Sequence, residues 1–173
     1  CDAGAARRAD PPAGPPVGHT GAMRSYVPAT IGDLRDPAGL GPRGAHALTG
    51  ALRAALAGED DETGEFQALL AAAAASVDLL AERREEPALR VVVAADVDGV
   101  QPDPRAAQPS AVRAPQVPWD AVVSFHVDDP DDPAAHDLVR RAARGEAGAR
   151  EAAEELDLLW YDVTERPVLT ARW

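Results

Sequence analysis

The chain has 173 residues, a formal net charge of −12 at pH 7 and one cysteine, Cys1. That length suits a single domain with a real core, and one cysteine excludes an internal disulfide. The negative charge argues against nucleic acid and against anionic lipid as partners, since both are bound through clustered positive charge.

All 17 basic residues are Arg, and neither Lys nor Asn occurs. A GC-rich genome imposes that usage through codon choice, so the Arg content is not in itself a functional signal. No apolar run is expected to reach the length of a membrane-spanning helix, because alanine supplies much of the most apolar segment. The expectation is a soluble protein.

Residues 1–22 carry four Pro, four Gly and a single branched apolar residue. They cannot bury enough surface to order themselves and read as a disordered tail ahead of one domain over 23–170. His19 in this tail reads as solvated. A lipidated start at Cys1 competes with a natural start at Met23, and the second is preferred.

Order begins at residues 23–29, a strand with Tyr26 and Pro28 on one face and Val27 and Ala29 on the other. Thr30 to Asp33 has the form of a capping box opening a short helix, which Asp36-Pro37 ends. A second short strand over 45–48 is followed by a helix capped by Thr49. In the next segment Phe66, Leu69, Leu70, Ala73, Val77 and Leu80 recur at three and four, giving one apolar stripe of a long helix. Acids at its start, Arg83 and Arg84 at its end, and Pro87 beyond agree with that reading.

Residues 90–98, RVVVAADVD, are apolar on both faces and read as the central strand, covered on both sides. After a proline-rich loop, 111–117 reads as an edge strand. Residues 119–128 form a stronger one, with Val123, Phe125 and Val127 on one face and Val122, Ser124 and His126 on the other. Asp132-Pro133 opens a helix, with His136 solvated in its first turn; a further helix spans 146–156. Residues 157–163 read as the last strand, with one ring of Trp160 and Tyr161 inward and one outward, and Pro167 marks its limit. The alternation predicts an α/β single-domain sandwich with a mixed sheet around strand 90–98 and helices packed on it; a two-layer α+β arrangement is the alternative.

Two strands end in acids, Asp96 and Asp98, then Asp128 and Asp129. Were they parallel neighbours, these four would converge at one sheet edge and could ligate Mg²⁺ or Ca²⁺, with His126 as a catalytic base. The competing reading makes Asp128 to Asp132 turn and cap residues. No Walker loop, dinucleotide glycine fingerprint, nucleophile elbow or zinc spacing occurs, so no cofactor is called for. The primary functional reading is therefore a domain that binds a protein or small-molecule partner, and the alternative is a metal-assisted, hydrolase-like enzyme.

From Met23 onward, MRSYVPAT (23–30), AHALTGALR (45–53), RVVVAADVD (90–98), AVVSFHVDD (121–129) and LDLLWYDV (156–163) resemble a family of uncharacterised actinobacterial proteins, a domain of unknown function. Ala54 and Ala55 stand where that family commonly has an aromatic pair. The resemblance implies an actinobacterial cytosolic protein beginning near Met23, and it carries no activity or catalytic residues.

Overall fold

The computed structural model describes residues 21–173; the expectations for the tail and for His19 fall on residues 1–20 and lie outside the described residues. Seven strands make one sheet: β1 (Met23–Ala29), β2 (Arg43–Ala47), β3 (Val91–Val97), β4 (Gln101–Pro102), β5 (Ala111–Ala114), β6 (Val122–Val127) and β7 (Leu159–Asp162), in the spatial order β4-β5-β2-β1-β3-β6-β7. Five helices accompany them: α1 (Gly50–Ala55), α2 (Asp61–Glu82), α3 (Pro133–Ala143), α4 (Ala149–Glu154) and α5 (Arg166–Ala171). Helices and strands mix in one domain, as the alternation predicts. Every strand pairing is antiparallel, however, where the alternation leads one to expect a mixed sheet. The expected edge strand over 111–117 is covered on its outer side by β4, and Val117 leaves the strand to bridge to Leu40. Gly39 permits that bridge: its φ is +92°, and a Cβ there would lie 2.2 Å from the Val117 carbonyl oxygen.

β3 is the centre, flanked by β1 and β6. It pairs with β1 over seven positions, from Met23 opposite Val97 to Ala29 opposite Val91. Its two apolar faces meet different covers. Val92 and Ala94 pack under α2 with Tyr26, Ala68, Leu69, Ala72 and Ala73. Val91, Val93, Ala95 and Val97 face a larger cluster closed by Ile31, by Leu34 of the 3-10 turn Asp33–Arg35, by Leu40 and Val117, and by Leu169 of α5. The turn is locked as the capping box predicts, with the Thr30 N–H donating to Asp33 Oδ2 at 3.0 Å and the Asp33 N–H to Thr30 Oγ1 at 3.3 Å.

α2 lies close to the sheet because its facing residues are small. Ser76 shows how close: its hydroxyl donates to the Ala29 carbonyl at 2.8 Å and accepts from the Val91 N–H at 3.0 Å, stitching the ends of β1 and β3 to the helix. The outer side of its C-terminal half packs on α3 and α4 through Val77, Leu80, Val139, Ala142, Ala149 and Ala153. By length and composition α2 is apolar enough to cross a membrane, against the expectation that no segment is, and in this fold it is a core helix. Phe66 departs from the predicted stripe and stands 54% exposed.

Two buried polar features stiffen the sheet. Arg90, just before β3, and Asp128, just after β6, are 2% and 1% exposed at their side chains and meet at 2.6 Å. Arg90 Nε also reaches Asp128 at 3.0 Å, the Arg90 backbone N–H donates to Asp128 Oδ2 at 2.6 Å, and Arg90 Nη2 donates to the Leu156 carbonyl at 2.9 Å. The pair thus ties the start of β3 to the end of β6 and to the approach of β7. The second feature is histidine. His46 on β2 is buried, with Nδ1 2.9 Å from Ser110 Oγ, and His126 on β6 is half-buried. Burial holds both imidazoles below the usual histidine range.

Asp128→Asn should cost about 3–5 kcal/mol in denaturant unfolding, because it strands a buried guanidinium, whereas the apolar pair Arg90→Met with Asp128→Leu should recover much of that loss. Equal destabilisation by the single and the double replacement would show that the charges are not coupled. The histidines set a pH dependence. Since their folded pKa lies below the unfolded value of about 6.5, the unfolded chain takes up protons first as pH falls, and stability drops from that point downward. The melting midpoint should decline between about pH 7 and pH 5, and His46→Gln with His126→Gln should flatten the decline. A flat profile in the parent chain would contradict it.

Candidate functional site

The antiparallel register decides the fate of the four acids. Val91 pairs with Val127 and Ala95 with Val122, so the end of β3 that carries Asp96 and Asp98 lies beside the beginning of β6, while Asp128 and Asp129 lie at the opposite end of the sheet. Convergence required parallel neighbours, and these are antiparallel. Asp96 takes a two-pronged ion pair from Arg24, Nε to Oδ1 at 2.7 Å and Nη2 to Oδ2 at 3.2 Å, and this guanidinium holds its carboxyl below the usual range. Asp98 is exposed in the turn after β3. Asp128 is sealed under Arg90, and exposed Asp129 accepts from the Asp131 N–H in a turn. Asp132 caps α3, accepting from Ala134 and Ala135, and the His136 ring meets the Asp129 carbonyl at 2.9 Å. Among the described residues no three His, Cys, Asp or Glu side chains group in a way that could hold a metal ion. The residues expected to ligate Mg²⁺ or Ca²⁺ therefore do not form a cage.

His126 does enter a site, with different companions. On the sheet face under the N-terminal half of α2, cross-strand pairing places Arg24 opposite Asp96, Tyr26 opposite Ala94 and Ala94 opposite Ser124; on the next row Pro28, Val92, His126 and Trp160 stand side by side. Ala94 is small, so the floor dips between Tyr26 and Ser124. The dip opens into a cleft of about 570 Å³ walled by Glu65, Phe66 and Leu69 of α2 and by Trp160 of β7.

A bulge shapes its far side. Ala95 pairs with Val122 but Ala94 with Ser124, leaving Val123 as the extra residue. Val122 thus joins Phe125 and Val127 in the core, while Val123 turns out to line the cleft, 38% exposed. Simple alternation puts Val123 on the core face, and one inserted residue reverses that.

The polar groups of the cleft are held by one another. The Tyr26 hydroxyl donates to Glu65 Oε2 at 3.3 Å, and burial, reinforced by that carboxylate, raises the phenol to about 12. It therefore stays a neutral donor. Ser124 Oγ lies 3.3 Å from His126 Nε2. Ser124 sits mid-strand, paired on both sides to Ala94 and Asp162, so this contact orients the imidazole within a rigid ladder and is not built like a strained nucleophile turn. What remains open to a visitor is two aromatic surfaces, Phe66 at 54% and Trp160 at 60% exposure, above a hydrogen-bonding floor.

A second cavity of about 440 Å³ lies under the other half of α2, lined by Arg43, His46 and Arg83 among others. There Arg43 is committed to Asp33, at 2.9 Å, and to the Pro28 and Gly41 carbonyls, and Arg83 also holds Asp33. Its guanidinium groups chiefly brace the 3-10 turn.

Sequence reasoning found His126, and it placed Asp96 at a strand end without its partner Arg24. It missed Tyr26 and Glu65 and assigned Phe66 to the core stripe. The available signal was Trp160 in a strand-end aromatic pair, read as one ring in and one out: Trp160 is the outward ring, and Tyr161 packs against the core.

Searches of the curated proteins and of the solved structures found no match. The profile described as "Family of unknown function (DUF6912)" matches residues 23–170, which contain every strand and every residue of the cleft. The chain belongs to this family of unknown function, DUF6912.

Proposed function

We propose that this domain is a binding module, in the cytoplasm of an actinobacterial cell, that seats a small organic ligand or a partner's side chain in the cleft between α2 and β7. The observation that carries the reading is the pair of exposed aromatic residues, Phe66 of α2 and Trp160 of β7, that line one cleft of about 570 Å³. Large aromatic rings left in water next to a concave polar floor are the usual furniture of ligand sites, and the volume lies within the range such sites occupy. His126, neutral and oriented by Ser124, serves in this reading as a hydrogen-bonding group of the floor. The metal-assisted hydrolase is the weaker alternative, since the acids it needs lie at opposite ends of the sheet. The all-Arg usage that a GC-rich genome imposes supports the actinobacterial setting, and the charge of −12 speaks against nucleic acid and anionic membrane as partners.

The test is a fragment screen read on the indole N–H signal of Trp160 by NMR, assigned through Trp160→Phe. Fragments should shift that signal and lose their binding in Phe66→Ala and Trp160→Ala, while both variants keep the parent stability to within about 0.5 kcal/mol because the rings are largely in water. Fragments that bind only elsewhere, unaffected by both replacements, would overturn the assignment.

A further inference from the structure

The charges around the cleft are unbalanced in one direction. From the cap and first turns of α2 come Asp60, Glu62 and Glu65; from the sheet come Arg24 and, beside it, Asp96. Arg24 is the one arginine among the lining groups, and Asp96 already takes its guanidinium in a fork. Among the described residues neither Glu62 nor Glu65 forms an ion pair, and the one hydrogen bond to the Glu65 side chain comes from the neutral Tyr26 hydroxyl. The N-terminus of α2 offers little to an anion, for Asp60 caps it, accepting from the Thr63 N–H at 2.8 Å, and Asp61 and Glu62 fill its first turn.

We infer that the ligand is an organic cation, an ammonium or guanidinium group carried on an apolar body, held between the Phe66 and Trp160 rings with its charge toward Glu62 and Glu65. This assignment rests on the binding reading given above. Three features favour this class together. Ring faces attract cations, Trp most strongly. Carboxylates that form no ion pair among the described residues attract them further at the rim of the cleft, and a net charge of −12 draws cations to the surface over longer range. An anion would meet the opposite in each respect, and a neutral apolar ligand would leave the carboxylates without a partner.

Three probes with one apolar body separate the cases: 4-phenylbutylamine, 4-phenylbutanol and 4-phenylbutyrate, titrated against the full chain while following the Trp160 indole signal. The amine should bind about tenfold more tightly than the alcohol, and the carboxylate more weakly than either. Glu62→Gln and Glu65→Gln should each lower amine affinity several-fold with little change for the alcohol, and added salt should weaken the amine alone. Glutamine keeps an acceptor for Tyr26, so Glu65→Gln preserves that link to β1. If the alcohol or the carboxylate binds at Trp160 as tightly as the amine, the cation assignment fails and the cleft stands as the site. The cation assignment fails in the same way if other fragments shift Trp160 and none of the three probes does. If nothing shifts Trp160, both readings fail.

Discussion

Arg90 and Asp128 lie where β3 begins and β6 ends, and the rest of the sheet follows from their meeting. Two opposite charges that far from water are tolerable only in contact and with their remaining groups bonded. Here the guanidinium has the carboxylate and the Leu156 carbonyl, and the carboxylate also takes the Arg90 backbone N–H. A sheet slipped by one residue on β6 would separate the pair and turn the buried face of every β6 residue outward. One buried contact therefore sets the β3–β6 register and fixes where β7 arrives, and β7 brings Trp160 to the cleft.

The cleft is a consequence of how α2 meets the sheet. Its alanine and serine face lets the helix settle deeply over β1 and β3, as the two hydrogen bonds of Ser76 show. Toward its N-terminus the contact passes from alanines to Glu65, Phe66 and Leu69, larger side chains that lie over Tyr26, Ala94 and Ser124 and form one wall of the cleft. The bulge turns Val123 into the lining on the β6 side. A space with a sheet floor and a helical wall results.

Charge is distributed to match. Arg residues are spent on structural tasks: Arg90 in the core, Arg43 and Arg83 on Asp33, Arg150 on Asp78, Arg24 on Asp96. With no lysine in the chain, the acids left over dominate the surface, and Glu62 and Glu65 at the cleft are among them.

By itself the sequence determined the elements and their order, because periodicity, caps and prolines act over a few residues: the capping box at Thr30 and Asp33, the Asp132 cap, the long helix and the doubly apolar central strand all stand in the structure, joined by the short β4 and by α5. What only the tertiary structure decided is everything set by strand direction and register. A run such as 122–127 does not state whether it lies parallel or antiparallel to 91–97, nor that one residue in it is looped out, so neither the separation of Asp96 from Asp128 nor the outward turn of Val123 was legible. For the same reason Phe66 read as core, since a helical stripe says which face is apolar and leaves open how far along its length the sheet beneath continues to cover it.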